Sequence, residues 1–266
     1  MNKKRIVEFS DFGFLSKQNI SLSFEIDQTL KETSFFSVEN QELLEANLNY
    51  VVSSQRNTVL GTKKTQIFFV EHLLAAISLL RIKKLKIKIV GSEIPLIDGS
   101  ALKWLEILQV FSSSKNSPDS DKKKLKKTLH FESKNKEQTI IAYPSDFFKV
   151  VYLFECPVTK RKQWSVWQEQ DGIKKVGQAR TFAPLEENKI LGTLGKWLSY
   201  DQSGFDQDLR FKEEPAYHKI LDLIGDLSLT GFNPLDLGVS LICLKSGHEL
   251  NNLLAKKLQE SLLPVI

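Results

Sequence analysis

One arrangement occurs twice in this chain and limits its fold more than any other feature: a histidine near the start of an apolar helical stretch that leads into a strand. In the first occurrence Glu71-His72-Leu73-Leu74-Ala75-Ala76-Ile77-Ser78-Leu79-Leu80 is apolar almost throughout. Beyond it Leu85, Ile87 and Ile89 alternate with Lys84, Lys86 and Lys88. That period of two predicts a strand with one buried and one wet face. In the second occurrence His218-Lys219-Ile220-Leu221-Asp222-Leu223-Ile224-Gly225-Asp226-Leu227 reads as a helix. A strand rich in Val, Leu and Ile is expected from Gly238 to Lys245, after Gly231 and Pro234. Further alternating runs, Ile20 to Ile26 and Lys149 to Phe154, add strands to both halves. The expected class is α+β, as two similar layered domains, each a sheet packed with helices.

The boundary between them is expected in Ser112-Ser113-Ser114-Lys115-Asn116-Ser117-Pro118-Asp119-Ser120, followed by Lys122-Lys123-Lys124-Leu125-Lys126-Lys127. A polar, Pro-broken stretch buries too little apolar surface to offset its own ordering. The expected organisation is a domain over 1–111, a polar and basic linker over 112–127 and a second domain over 128–266, each long enough for its own core.

Several classes are set aside. No apolar run reaches the roughly 18 residues of a spanning helix. The basic start, Met1-Asn2-Lys3-Lys4-Arg5, has no apolar stretch behind it, so a cytoplasmic location is expected. Cys156 and Cys243 form neither a disulfide framework nor a paired-cysteine zinc motif. Lys and Arg number 37 against 32 Asp and Glu, and the lysine run carries much of the excess. It reads as a solvated segment, compatible with peripheral contact with the inner membrane surface. With no aromatic residue among those lysines, a nucleic-acid partner is not expected.

The polar residues inside the apolar helices are where chemistry is expected. His218 and Asp222 are four apart and share a helix face, the spacing that presents two metal ligands together. Asp226 lies one turn further along. With His72 they make a His/His/Asp set, which leaves a position open on zinc, as catalytic sites do. Glu71 is a carboxylate near enough in sequence to take a proton. Taken singly, each feature also describes a structural histidine or an exposed helix-face pair. His248, in Lys245-Ser246-Gly247-His248-Glu249, is equally a helix cap or turn residue.

Together the motifs are more specific. Val70-Glu71-His72-Leu73-Leu74-Ala75-Ala76, then Glu93-Ile94-Pro95-Leu96-Ile97-Asp98-Gly99-Ser100-Ala101, resembles the zinc-dependent UDP-3-O-acyl-N-acetylglucosamine deacetylases of lipid A synthesis. Ala179-Arg180-Thr181-Phe182, His218 through Leu227, and Ser246-Gly247-His248 through Asn251-Asn252 extend the resemblance in the family's order. The resemblance implies two α+β domains with the active site between them. It implies zinc held by His72, His218 and Asp222, with Glu71 as general base. His248 would protonate the leaving amine, oriented by Asp226, while Thr181 would stabilise the oxyanion with zinc. Lys219 and Phe182 would contact an acylated UDP-sugar substrate. A zinc deacylase for another acylated sugar, or a non-catalytic binder of nucleotide sugar, stays open beside it.

The chain also departs from the family pattern. Gly13-Phe14-Leu15-Ser16-Lys17 stands where the family has a histidine-bearing motif, and Phe68-Phe69 where a Ser-Thr pair is usual. The Gly-Gly-Ser strand after Phe182 is unrecognisable, and Ala183 to Gly204 reads as a shortened substitute. A shallow or partly open acyl passage is therefore expected, unless Leu191, Leu194 and Trp197 rebuild its wall.

Overall fold

The computed structural model describes residues 5–112 and 123–262. Within these residues two halves repeat one plan. In the first, β1 (Ile6–Phe12), β2 (Asn19–Ile26), β3 (Ser34–Ser37) and β4 (Glu42–Glu45) come first. A small sheet of β5 (Val51–Ser53), β6 (Val59–Gly61) and β7 (Gln66–Ile67) follows, then α1 (Glu71–Leu79), β8 (Leu85–Val90) and α2 (Leu102–Leu108). The second half opens on a two-residue strand, β9 (Lys123–Lys124). It continues through β10 (Leu129–Glu132), β11 (Thr139–Pro144), β12 (Lys149–Glu155), β13 (Lys162–Gln168) and the short helix α3 (Ile173–Gly177). Its own small sheet follows: β14 (Phe182–Pro184), helix α4 (Leu185–Leu191), β15 (Leu198–Asp201) and β16 (Gly204–Phe205). α5 (Glu214–Ser228), β17 (Leu237–Leu244) and α6 (His248–Leu262) complete the chain.

The two large sheets have equivalent orders, β1-β2-β8-β3-β4 and β10-β11-β17-β12-β13. In each, the last strand of the half sits at the centre. It runs antiparallel to the second strand and parallel to the third. Burial explains how these strands look in sequence. β8 buries Leu85, Ile87 and Ile89 and leaves Lys86 and Lys88 part exposed, which is the alternation of a one-sided strand. β17 is buried at nearly every position and so is continuously apolar.

Residues 113–122 of the expected linker lie outside the described residues. Its far end departs from a solvated linker. Lys123 and Lys124 pair in parallel with Leu237 and Gly238, and Leu125 is buried. The single leucine in the lysine run points inward while its neighbours stay wet, so this stretch is part of the second sheet. Among the described residues no helix is long and apolar enough to cross a membrane.

α1 is buried at all nine positions and packs side by side with α5. The approach is close enough to dictate a residue. A Cβ on Gly225 of α5 would lie 2.1 Å from the carbonyl oxygen of Glu71. Glycine inside a helix costs about 1 kcal/mol relative to alanine. Here it lets two helices from different halves touch main chain to main chain, and that contact positions the site.

Candidate active site

The helix spacing of His218 and Asp222 sends both side chains to the face of α5 that meets α1, where His72 is the second residue. Three ligand atoms converge there. His72 Nε2 lies 3.1 Å from His218 Nε2 and 3.2 Å from Asp222 Oδ1, and His218 Nε2 lies 3.5 Å from Asp222 Oδ1. Ligands 2.0–2.1 Å from a tetrahedral zinc stand about 3.4 Å apart, so these separations suit one ion. Burial, together with the positive charge of its neighbours, holds His218 well below the usual imidazole range, despite Asp222. Burial alone would raise Asp222, but His218, Lys219, His248 and a hydrogen bond with His72 hold it well below the usual carboxylate range. Two imidazole nitrogens and a carboxylate oxygen at these distances form a donor set suited to a divalent cation such as zinc.

Two titratable groups flank this set. Glu71, adjacent to His72 at the start of α1, is buried, and its Oε2 accepts a hydrogen bond from the Thr58 N–H at 3.0 Å. Burial pushes its carboxyl up, although His248 and His72 pull the other way. His248 opens α6. Its Nδ1 donates to Asp226 Oδ2 at 2.8 Å, and its Nε2 faces Asp222 Oδ2 at 3.8 Å. Burial opposes its charge, but Asp226, Asp222 and Glu71 prevail and push it up to about 9. Asp226 also accepts from Asn251 Nδ2 at 2.8 Å and from the Thr58 hydroxyl at 2.6 Å.

Arg180, next to Thr181, fastens the third wall. Its guanidinium donates to both carboxylate oxygens of buried Glu214, at 2.8 and 3.0 Å, tying the 180–182 segment to the start of α5. The Thr181 N–H donates to the Gly99 carbonyl at 2.7 Å, joining the halves again. Gly99 has φ +79°, and a Cβ there would lie 2.8 Å from both Thr181 Cγ2 and Trp197 Cβ. Phe182 then lies edge-on to the His218 ring at 5.3 Å. Lys219 Nζ donates to Asp222 Oδ2 at 3.0 Å and stands over the Phe182 ring at 5.4 Å.

Phe182 opens a three-residue strand: β14 pairs in parallel with β15, which lies beyond α4 and pairs with β16. Phe154, Tyr200 and Phe205 pack around Phe182 with centroids at 5.3, 6.2 and 6.1 Å. Ala183 and Pro184 follow Phe182 in place of the small residues by which such a strand would be recognised. Trp197 is buried and donates to Asn188 Oδ1 at 3.1 Å, whereas Leu194 is half exposed. The other two departures meet each other. Phe14 packs edge-on against Phe69 at 5.7 Å and Trp197 at 5.2 Å. The Gly13–Lys17 loop is organised by buried Glu93, whose carboxylate accepts from the Leu15 and Ser16 N–H groups at 2.9 and 2.7 Å.

Sequence reasoning missed Thr58 and Glu214, and gave Asn251, though it lies in a motif, no role of its own. Glu214 precedes His218 by one helical turn and was open to the same face argument. Thr58 stands outside helices and strands, with no pattern to mark it.

Comparison with known proteins is consistent with this site. The sequence profile of the UDP-3-O-acyl N-acetylglycosamine deacetylase family matches residues 3–260. A UDP-3-O-acyl-N-acetylglucosamine deacetylase of Synechocystis sp. is 31% identical over 231 residues, covering 82% of this chain and 83% of its own. The enzyme of that name from Thermodesulfovibrio yellowstonii is 30% identical, covering 97% of this chain and 91% of its own. That from Chlamydia pneumoniae is also 30% identical, with 97% and 96% covered.

Proposed function

The chain belongs to the UDP-3-O-acyl N-acetylglycosamine deacetylase family, and we propose that it is the zinc-dependent hydrolase that removes acetate from UDP-3-O-acyl-N-acetylglucosamine, in the cytoplasm, for lipid A biosynthesis. The observation that carries this reading is the convergence of His72, His218 and Asp222 between a buried carboxylate and a charged histidine. A nucleotide-sugar binder has no use for the last two.

When bound by these residues, zinc supplies Lewis acidity toward the acetamide carbonyl and lowers the pKa of a water to roughly 7. Glu71, its carboxyl raised by burial, takes the proton from the attacking water. His248 arrives charged, because Asp226 and Asp222 favour its imidazolium. It therefore has a proton to give to the nitrogen of the departing amine. Asp226 keeps that imidazole oriented through Nδ1, which leaves Nε2 for the substrate side. Thr181, pinned by its own N–H to Gly99, is the residue whose hydroxyl would stabilise the developing oxyanion. Phe182 and Lys219 border the same space and contact the sugar.

The test is acetate release from UDP-3-O-acyl-N-acetylglucosamine by purified protein of measured metal content. One zinc per chain with chelator-sensitive release is expected. Metal binding without release from this substrate, but with release from another acylated glucosamine, would move the reading to a related deacylase.

A further inference from the structure

Thr58 is fully buried just ahead of β6, in a stretch, residues 54–58, that belongs to no helix or strand. All its polar groups are engaged. Its N–H donates to Glu71 Oε2 at 3.0 Å, its hydroxyl to Asp226 Oδ1 at 2.6 Å, and its carbonyl accepts from the Val70 N–H at 3.4 Å. Glu71 belongs to the first half and Asp226 to the second. One residue therefore touches both proton-handling systems that flank the metal ligands.

We propose that Thr58 is a positioning residue that holds Glu71 and the Asp226–His248 pair in a single mutual geometry, an inference that rests on the amide-hydrolysis reading. Asp226 shows why the hydroxyl matters. Oδ2 accepts from His248 Nδ1 and Asn251 Nδ2, and Oδ1 accepts from Thr58. With donors on both oxygens the carboxylate cannot rotate, so His248 keeps one orientation. A hydrogen bond from a neutral hydroxyl to a buried carboxylate is a charge-assisted one, about twice the strength of a neutral pair. The same bond fastens the end of the irregular segment to α5. That fixes where the Thr58 N–H points, and hence the orientation of Glu71. The donor to the base would survive any side chain at position 58, but its aim depends on the hydroxyl.

The variants Thr58→Val and Thr58→Ser separate this role from packing, because valine keeps the shape and serine keeps the hydroxyl. For Thr58→Val, kcat is expected to fall roughly ten- to a hundredfold, the usual cost of losing a group that orients an active-site residue. KM should stay within about twofold and one metal should remain per chain, while Thr58→Ser recovers to within about threefold of the parent. A readout independent of turnover is the Nδ1-bound proton of His248 in histidine-labelled protein. Its resonance should move upfield and exchange faster in Thr58→Val and stay in place in Thr58→Ser. If Thr58→Val does not fold, Thr58→Cys, a weak donor, takes its place with the same expectations. Unchanged kcat and an unmoved resonance in the valine variant would overturn the proposal. So would impairment of Thr58→Ser as large as that of Thr58→Val, which would show that the hydroxyl alone does not carry the effect. If the parent protein releases no acetate the functional reading fails, while the resonance still decides whether Thr58 orients His248.

Discussion

The two halves share a strand order and the place where a small sheet is inserted, yet they divide the site unequally. α5 carries two of the proposed metal ligands one turn apart and Asp226 one turn beyond. α1 brings the third proposed ligand, His72, with Glu71 beside it, on a helix buried on every side. A pair on one helix is held at near-fixed separation by the helix itself. The third ligand has no such guarantee. It arrives only because α1 and α5 touch through Gly225 and because Thr58 ties one half's base to the other's acid pair. The inserted segments differ in the same way: the stretch between β5 and β6 supplies a positioning hydroxyl, and the second small sheet gives Phe182 its aromatic neighbours Tyr200 and Phe205.

The most severe way to break this division is at a ligand. Asp222→Ala should lose the metal and with it at least roughly a thousandfold in turnover, since the ion supplies the electrophile and activates the water. His72→Ala, from the other half, should do the same. Zinc determination beside the activity assay checks both, and a full equivalent of zinc in either variant would remove that residue from the set. Glu71→Ala should separate base from ligand within the first half. It should keep zinc and lose at least about a hundredfold in kcat, the scale of a positioned acid–base group.

The aromatic wall of the second half sets the next effect. If a chain lies against Phe182, Tyr200 and Phe205, each methylene buried there contributes ~0.8 kcal/mol. Four methylenes then change kcat/KM by up to roughly two-hundredfold. We expect more than tenfold between acyl chains four carbons apart. A flatter series would support the shallow passage expected from sequence.

Gly225→Ala tests the contact between the halves. The added methyl meets the Glu71 carbonyl at 2.1 Å. Overpacking of this kind costs roughly 1–3 kcal/mol, so a lower Tm should accompany lost activity, although alanine is the better helix former. The smallest effect is at the exposed edge, where Arg210 Nη2 donates to Asp98 Oδ2 at 2.6 Å across the halves. Burial would raise the Asp98 carboxyl, but the hydrogen bonds from Arg210 and Ser100 lower it. Its stabilisation is therefore full above the unfolded value of about 3.9 and lost as pH falls through the lower folded value. Both side chains are about a third exposed (33% and 31%), so Asp98→Asn should cost under ~1 kcal/mol near neutral pH and nothing in strong acid. Denaturation at pH 7 and pH 2 decides it.

Much of this organisation is legible in the order of the residues. Alternation in Leu85, Ile87 and Ile89 marks a one-sided strand. The apolar run after Gly238 marks a central one, which begins and ends one residue earlier than expected. His218 and Asp222 are readable as a pair because four residues make one helical turn. The strand after Phe182 is not, because its small residues are replaced and its partner, β15, lies beyond an intervening helix. Nor is the inward turn of Leu125 within a lysine run.

What the sequence by itself determined, then, is whatever depends on local spacing: the two helices that meet at the site, the alternating strands, the His218–Asp222 face and the family motifs. Only the tertiary structure decided that His72 meets that face, that Glu93 organises the Gly13–Lys17 loop, and that Thr58 joins Glu71 to Asp226. The reason is physical. A helix or strand fixes the relation between residues a few positions apart. Contacts between distant segments depend on packing, here on one missing Cβ that lets two helices close.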